Sequence, residues 1–282
     1  MNTFYEKCCY GLMMFVTYMV VCAVGYIIFD IIWKGLPAIN WEFLSAAPRK
    51  SGAEGGIYPA IIGTLYLVGG TIAIALPLGM GSAIYLSEYA DQNRFTELIR
   101  LAIITLAGVP SIVYGLFGLG LFVLFFKFGA SILAGSLTLA CMVLPTIIVA
   151  SEEALHAVPQ AYRDASLALG ATKWETIRTN VLPYSLSGMI TGAILGIGRA
   201  AGETAPILLT VAAFFLPKLP RSIFDQVMAL PYHLYILATQ HPEAEKVRPL
   251  QYGTALVLLA LVLGLSLLAI LLRMHFRKKY RW

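Results

Sequence analysis

The chain has 282 residues, of which 59% are hydrophobic and 12% charged, with a formal net charge of +5. An ordinary soluble domain carries roughly a quarter charged residues, so this composition excludes a soluble globular enzyme. The basic excess is too small and too scattered to indicate a nucleic-acid partner, and topology has to explain it instead.

Uncharged windows recur along the chain: Cys8–Phe29, Gly55–Ser87, Leu101–Phe126, Phe128–Ser151 and Pro249–Leu272. Each exceeds the roughly 18 to 20 residues that cross a bilayer as a helix. A further apolar stretch, Thr179–Pro217, is interrupted only by Arg199 and Glu203. Six spans follow. The runs are unbroken rather than alternating, so an all-α integral membrane bundle, not a transmembrane barrel, satisfies the backbone. The whole chain, 1–282, reads as a single membrane domain in contact with lipid.

The basic residues set the orientation. With the N-terminus inside, Lys7, Arg94, Arg100, Arg163, Lys173, Arg178 and the cluster Arg273, Arg277, Lys278, Lys279, Arg281 fall on the cytoplasmic side. Lys34, Arg49, Lys50, Lys127, Lys218, Arg221, Lys246 and Arg248 fall outside. The C-terminal cluster directly after the last span is the strongest cue, and an even number of spans places both termini in the cytoplasm. The first apolar run reads as an uncleaved signal anchor. In the second outer loop, Ser222–Ala238 is semi-apolar but interrupted by Asp225 and Pro231, which suits a short capping or interfacial helix.

Pro77, Pro110 and Pro145 interrupt apolar windows and predict kinks. The cysteines Cys8, Cys9, Cys22 and Cys141 all lie in apolar runs, form no CxxC, and read as lipid-facing or core thiols. The four histidines are widely separated, so neither a metal site nor a catalytic constellation is expected.

Between the fourth and fifth spans lies a polar but patterned segment, residues 152–183. Pro159 precedes one short helix, Gly170 is placed to end it, and Thr172 with Glu175 has the spacing of a capping box for a second. By itself this describes an amphipathic connector on the membrane surface. The chain has no GxxxxGK[ST] loop, so it binds no nucleotide in the P-loop manner, and any ATP has to act through a partner.

In the fifth span, Arg199 and Glu203 are four residues apart and predicted on one helix face. Charges at this depth cost about 2.5 to 3.5 kcal/mol each, so they face protein or water. Gly188, Gly192, Gly196 and Ala200 repeat every four residues, which predicts close packing against another helix. Two readings are open. The pair either fixes helix register, or lines a path in which the Arg199 guanidinium meets an oxyanion, with Thr204 as a lesser candidate.

Asp164, Ala165 and Ser166, then Gly170, then Leu182 and Pro183 resemble the cytoplasmic loop of ABC importer permeases, whose pattern is EAA, three residues, G, nine residues, I-x-LP. Asp164 stands for the Glu, Ser166 for the second Ala, and Asn180 for the Ile. The run GRAAGETAP (Gly198–Pro206), with GLPAINWEFL, GGIYPAIIGTL and LPLGMGSAIYLSEY, is similar to the A-type permease subunits of phosphate ABC importers over essentially the whole chain. That resemblance implies a type I importer permease fold in the cell inner membrane. It also implies inorganic phosphate as cargo, a second permease subunit, two cytoplasmic ATPase subunits that use the ATP, and a periplasmic phosphate-binding protein. It casts 152–183 as the coupling-helix segment and Arg199 and Glu203 as path-lining. Another oxyanion (phosphonate, sulfate, molybdate), a self-sufficient secondary transporter and an assembly scaffold are the alternatives.

Overall fold

The computed structural model describes residues 2–52 and 54–279. It is almost entirely helical, and its order is set by helix breakers and caps. Helix α1 (Asn2–Gly35) is followed by α2 (Trp41–Ser45), where Asn40 accepts a 2.7 Å hydrogen bond from the Phe43 amide. A minimal hairpin, β1 (Pro48–Arg49) and β2 (Glu54–Gly55), pairs Pro48 with Gly55 and Arg49 with Glu54. Then come α3 (Tyr58–Ile84), ending in a wide π turn at Tyr85–Tyr89, α4 (Arg94–Ala107), α5 (Ser111–Gly118), prolonged by a π turn to Phe125, and α6 (Ile132–His156). The connector holds α7 (Gln160–Ala168) and α8 (Lys173–Thr176), and a π turn at Ile177–Val181 leads into α9 (Leu182–Gly202). The chain finishes with α10 (Ala205–Thr210), α11 (Leu230–Thr239) and α12 (Arg248–Lys279).

Helix α6 is the centre of the bundle. It packs against α3 on one side and α9 on the other, and Met142, Val143 and Ile147 are fully buried. One apolar cluster surrounds these residues with Leu67, Ala75, Ala200 and Ile207. A second, toward the connector, joins Leu86, Ile148, Leu155, Val158, Val181 and Met189. A third, at the opposite end, joins Phe43, Ile57, Ala60, Met228 and Leu230. The outward faces of α1, α4, α5 and α12 are lined by exposed Leu, Ile, Val and Phe, as a bilayer rather than water demands. Cys8, Cys9 and Cys22 are exposed on α1, and Cys141 on α6 is half-buried.

Five helices are long and apolar enough to cross a membrane, and the bent pair α4 and α5 makes six if it counts as one crossing. Within two of the expected windows the helix is interrupted. Leu101–Phe126 is not a single kinked helix: it turns through 104° between α4 and α5. Pro110 lacks an amide hydrogen and drives the preceding residue out of helical geometry, and after Gly108 the chain restarts at Ser111. Thr179–Pro217 likewise ends as a helix at Gly202, and Glu203 is extended (φ −76°, ψ 134°). Pro77 and Pro145, by contrast, lie inside α3 and α6.

The capping element of the outer loop is shorter than Ser222–Ala238. Only α11 is helical, with Pro231 in its first turn, and the non-helical residues Val227, Met228 and Ala229 that precede it are each 1% exposed. There the Leu230 amide donates to the Thr64 hydroxyl at 2.9 Å. Of the C-terminal basic cluster, Arg281 lies outside the described residues.

Candidate functional site

The small-residue face of α9 finds its partner inside this chain. A Cβ placed on Gly188 would lie 2.5 Å from the Ala154 Cβ, and one on Gly192 would lie 2.8 Å from the Ala150 Cβ; Gly196 faces Ile147. Helices α6 and α9 are thus in near backbone contact, as glycines every fourth residue permit. Arg199 occupies the last turn of α9, where a cation complements the unpaired carbonyls of the helix end.

Helix α9 stops there for a reason legible in the chain. A continuous helix would need Pro206 to donate to the Gly202 carbonyl, and proline has no hydrogen to give. The chain instead breaks at Glu203 and restarts at α10, with Pro206 in its first turn. Arg199 and Glu203 are consequently not two residues of one helix face, as the sequence suggests. They nevertheless meet: Arg199 Nε lies 3.6 Å from Glu203 Oε1, with side chains 32% and 19% exposed. At that distance the contact is an ion pair rather than a hydrogen bond. Thr204 caps the start of α10 through its carbonyl, not its hydroxyl.

Helix α5 forms the opposite wall. A Cβ on Gly115 would touch the Ala205 carbonyl and Pro206 Cα, both at 3.1 Å, so α5 presses directly on the break. The neighbouring Tyr114 is within electrostatic reach of the Arg199 charge, and its hydroxyl donates to the Leu106 carbonyl at 2.9 Å across the bend between α4 and α5. Two helix interruptions therefore meet around one half-exposed guanidinium. A planar fork held loosely on one edge by a carboxylate suits transient recognition of a tetrahedral oxyanion.

The connector has the helix, glycine turn, helix form that the spacing predicts. Gly170 adopts φ +87°, in the left-handed region that favours glycine, with open space around it. The capping box closes in both directions: the Thr172 amide donates to Glu175 Oε2 at 2.8 Å, and the Glu175 amide donates to Thr172 Oγ at 3.3 Å. Asp164 and Ala165 are exposed, and the Asp164 carboxylate accepts from Gln160 Nε2 at 3.1 Å.

Ser166 points the other way. It is buried and its hydroxyl accepts from Thr176 Oγ1 at 2.9 Å, stapling α7 to α8. Leu182 and Pro183 are half-buried at the head of α9. Of Asp164, Ala165, Ser166, Gly170, Leu182 and Pro183, only Asp164, Ala165 and Gly170 are thus surface residues. Beside them Leu167, Leu169 and Trp174 expose 48%, 89% and 53% of their area, an apolar patch on an otherwise polar connector.

Sequence reasoning passed over Glu88 and Arg163, which form a buried bidentate pair between the end of α3 and α7. Their one trace in the sequence is a charged residue on each side within short runs already singled out, LSEY and the loop before Asp164.

Residues 75–282 match the family described as binding-protein-dependent transport system inner membrane component. YqgI of Bacillus subtilis, a probable ABC transporter permease protein, is 35% identical over 253 residues, covering 85% of each chain. The phosphate transport system permease protein PstA 1 of Mycobacterium tuberculosis is 38% identical over 220 residues, covering 78% of this chain and 71% of the relative. Among solved structures, a bacterial alginate ABC transporter in complex with a pentasaccharide-bound periplasmic protein aligns over 99% of this chain and 96% of that chain, with a TM-score of 0.66 and 11% identity. At that identity the likeness speaks to the fold alone.

Proposed function

The chain belongs to the family of binding-protein-dependent transport system inner membrane components and has the multi-pass fold of type I ABC importer permeases, and from that premise we propose that it is the membrane subunit of an ATP-driven inorganic phosphate importer. The observation that carries the cargo is the relationship, at 38% identity over most of the chain, to permeases named for phosphate transport. The half-exposed Arg199 fork at the break after α9 fits that cargo, since it offers positive charge without a closed cage.

In this reading a second permease subunit completes the path, and a periplasmic phosphate-binding protein delivers the anion from the side of the β1–β2 loop and α11. Two cytoplasmic ATPase subunits grip α7 and α8 through Asp164, Ala165, Gly170 and the apolar patch of Leu167, Leu169 and Trp174. Both termini are cytoplasmic. ATP binding and hydrolysis in those partners move the connector, and the bundle alternates between outward and inward openings. Arg199 stabilises the anion midway, and Glu203 holds the guanidinium when the path is empty. The attraction has to be weak, because a tightly caged anion would not leave.

The test is transport by the assembled complex in vesicles, with labelled phosphate competed against sulfate, molybdate and a phosphonate. Uptake that requires ATP and the ATPase subunits, and that only phosphate competes, is expected. Preferential competition by another oxyanion would replace the cargo, and flux through this chain without ATP would replace the mechanism.

A further inference from the structure

The connector is covalently joined to α6 at one end and to α9 at the other, so any push on α7 reaches those two helices through the chain itself. Helix α3 has no such link to it. Its cytoplasmic end meets the connector through the apolar cluster of Leu86, Leu155 and Val158, and beside that contact a cavity of about 580 Å³, bordered by Glu88, Gln92, His156, Val158, Arg163 and Lys173, leaves a gap. The gap is bridged by Arg163. Its Nη2 donates to Glu88 Oε1 at 2.7 Å and its Nε to Glu88 Oε2 at 3.2 Å. The same guanidinium donates to the carbonyl of Val158 at 2.7 Å, just past the end of α6, and to that of Leu155 at 3.0 Å, which also accepts the Val158 amide.

The two side chains are 12% and 7% exposed, so water competes little for these bonds. A bidentate, carbonyl-backed guanidinium is a directional joint that neither a lysine nor an apolar contact reproduces. Lys173 Nζ over the Tyr89 ring, 5.1 Å from its centroid, adds a weaker second contact across the same gap. Above the joint, Pro77 removes one backbone bond inside α3 and the π turn at Tyr85–Tyr89 loosens its last turn, so the segment below Pro77 is able to follow a pull.

We propose that Arg163 is a positioning residue for transport: through Glu88 it makes the cytoplasmic end of α3 move with the connector, so that the motion of α7 opens or closes the path. This rests on the importer reading above. Its test is phosphate taken up per ATP hydrolysed by the reconstituted complex, with copurification of the ATPase subunits checked for each variant. Arg163→Gln and the double variant Glu88→Gln/Arg163→Gln are compared. The double variant leaves no unpaired buried charge and so guards against simple misfolding.

Both are expected to assemble and to hydrolyse ATP, with uptake per ATP reduced about tenfold, within the range of substitutions along a coupling network. Arg163→Lys should recover only part of the ratio, because it restores the charge without the fork. A spin-label pair at Tyr85 and Gln160 should keep its separation on ATP binding in the wild type and change it in the double variant. Wild-type uptake per ATP in the double variant, or a fall in hydrolysis proportional to the fall in uptake, would overturn the joint. A wild-type complex that moves no phosphate on ATP would instead overturn the importer reading, while the label separations would still report on the joint.

Discussion

Arg199 and Glu203 face each other across the end of a helix rather than along it: Arg199 Nε is 3.6 Å from Glu203 Oε1, yet Glu203 has extended backbone and belongs to the break before α10. The difference matters for what the pair is able to do. Two side chains on one helix face are held by the same rigid rod. Here the acid sits in the two-residue break, Glu203 and Thr204, between α9 and α10, and α5 packs through Gly115 on the first turn of α10, so movement of α10 with α5 relative to α9 would alter the distance between the two charges.

The α6–α9 seam should not tolerate bulk. Gly192→Leu places its Cβ 2.8 Å from the Ala150 Cβ, an atom fixed to the backbone of α6. Overpacking of this kind costs about 1 to 3 kcal/mol. Thermal unfolding of the purified chain in detergent should show a clear drop in midpoint for Gly192→Leu and little change for Gly198→Ala, whose Cβ meets nothing within 4 Å.

At Gly170 the cost is conformational rather than steric. Its φ of +87° lies where a side chain is strained, although no atom crowds the position. Gly170→Val should cost about 1 to 2 kcal/mol, whereas Gly170→Asn, which visits that region more readily, should lose less. Retention of the ATPase subunits through purification should follow the same order: wild type, then Asn, then Val.

The apolar patch on the connector separates docking from folding. Leu169 is 89% exposed, so Leu169→Asp should leave the unfolding midpoint of the chain nearly unchanged, as surface substitutions usually do within about 0.5 kcal/mol. Copurification of the ATPase subunits should fall sharply. A stable chain that retains its ATPase in full would remove this patch from the docking surface.

His233 gives the outer face a pH dependence. It is 2% exposed, stacks on Phe214 with ring centroids 6.1 Å apart, and lies beside Gly52 of the first outer loop. Burial pushes its pKa down from 6.5 to about 4. The folded chain therefore disfavours the proton that the unfolded chain accepts. The stabilisation is complete above about pH 6.5 and is lost as the pH falls toward 4, by an amount on the order of 3 kcal/mol. Unfolding midpoints measured from pH 7 to pH 4 should fall more steeply for the wild type than for His233→Phe.

What the sequence discloses about this molecule is what repeats or caps locally. Glycines at intervals of four announce the α9 seam because close approach needs their period on one face. Gly170, Thr172 and Glu175 announce the connector because a turn and a cap are written within a few residues. The break at Pro110 was not separable from the continuous passages at Pro77 and Pro145, since an uncharged window scores all three alike. At Pro110 the Tyr114 hydroxyl bonds the Leu106 carbonyl across the bend, whereas Pro77 and Pro145 lie within α3 and α6, which continue through them and pack on each other. Ser166, which matches the small-residue pattern, turned out to face inward because its partner Thr176 lies on the next helix. Glu88 and Arg163 are 75 residues apart, and no local period links them.

In the proposed path the Arg199 guanidinium meets the transported anion. The most direct measurement is ATP-dependent phosphate uptake by the whole complex, wild type against Arg199→Gln, with assembly verified by copurification of the ATPase subunits. The complex should assemble, and its uptake should fall by about 1 to 3 kcal/mol of lost anion stabilisation, roughly five- to 150-fold, as expected for removal of a charged hydrogen-bond donor. An assembled Arg199→Gln complex with wild-type uptake would contradict it and leave the Arg199–Glu203 pair as a device that fixes helix register.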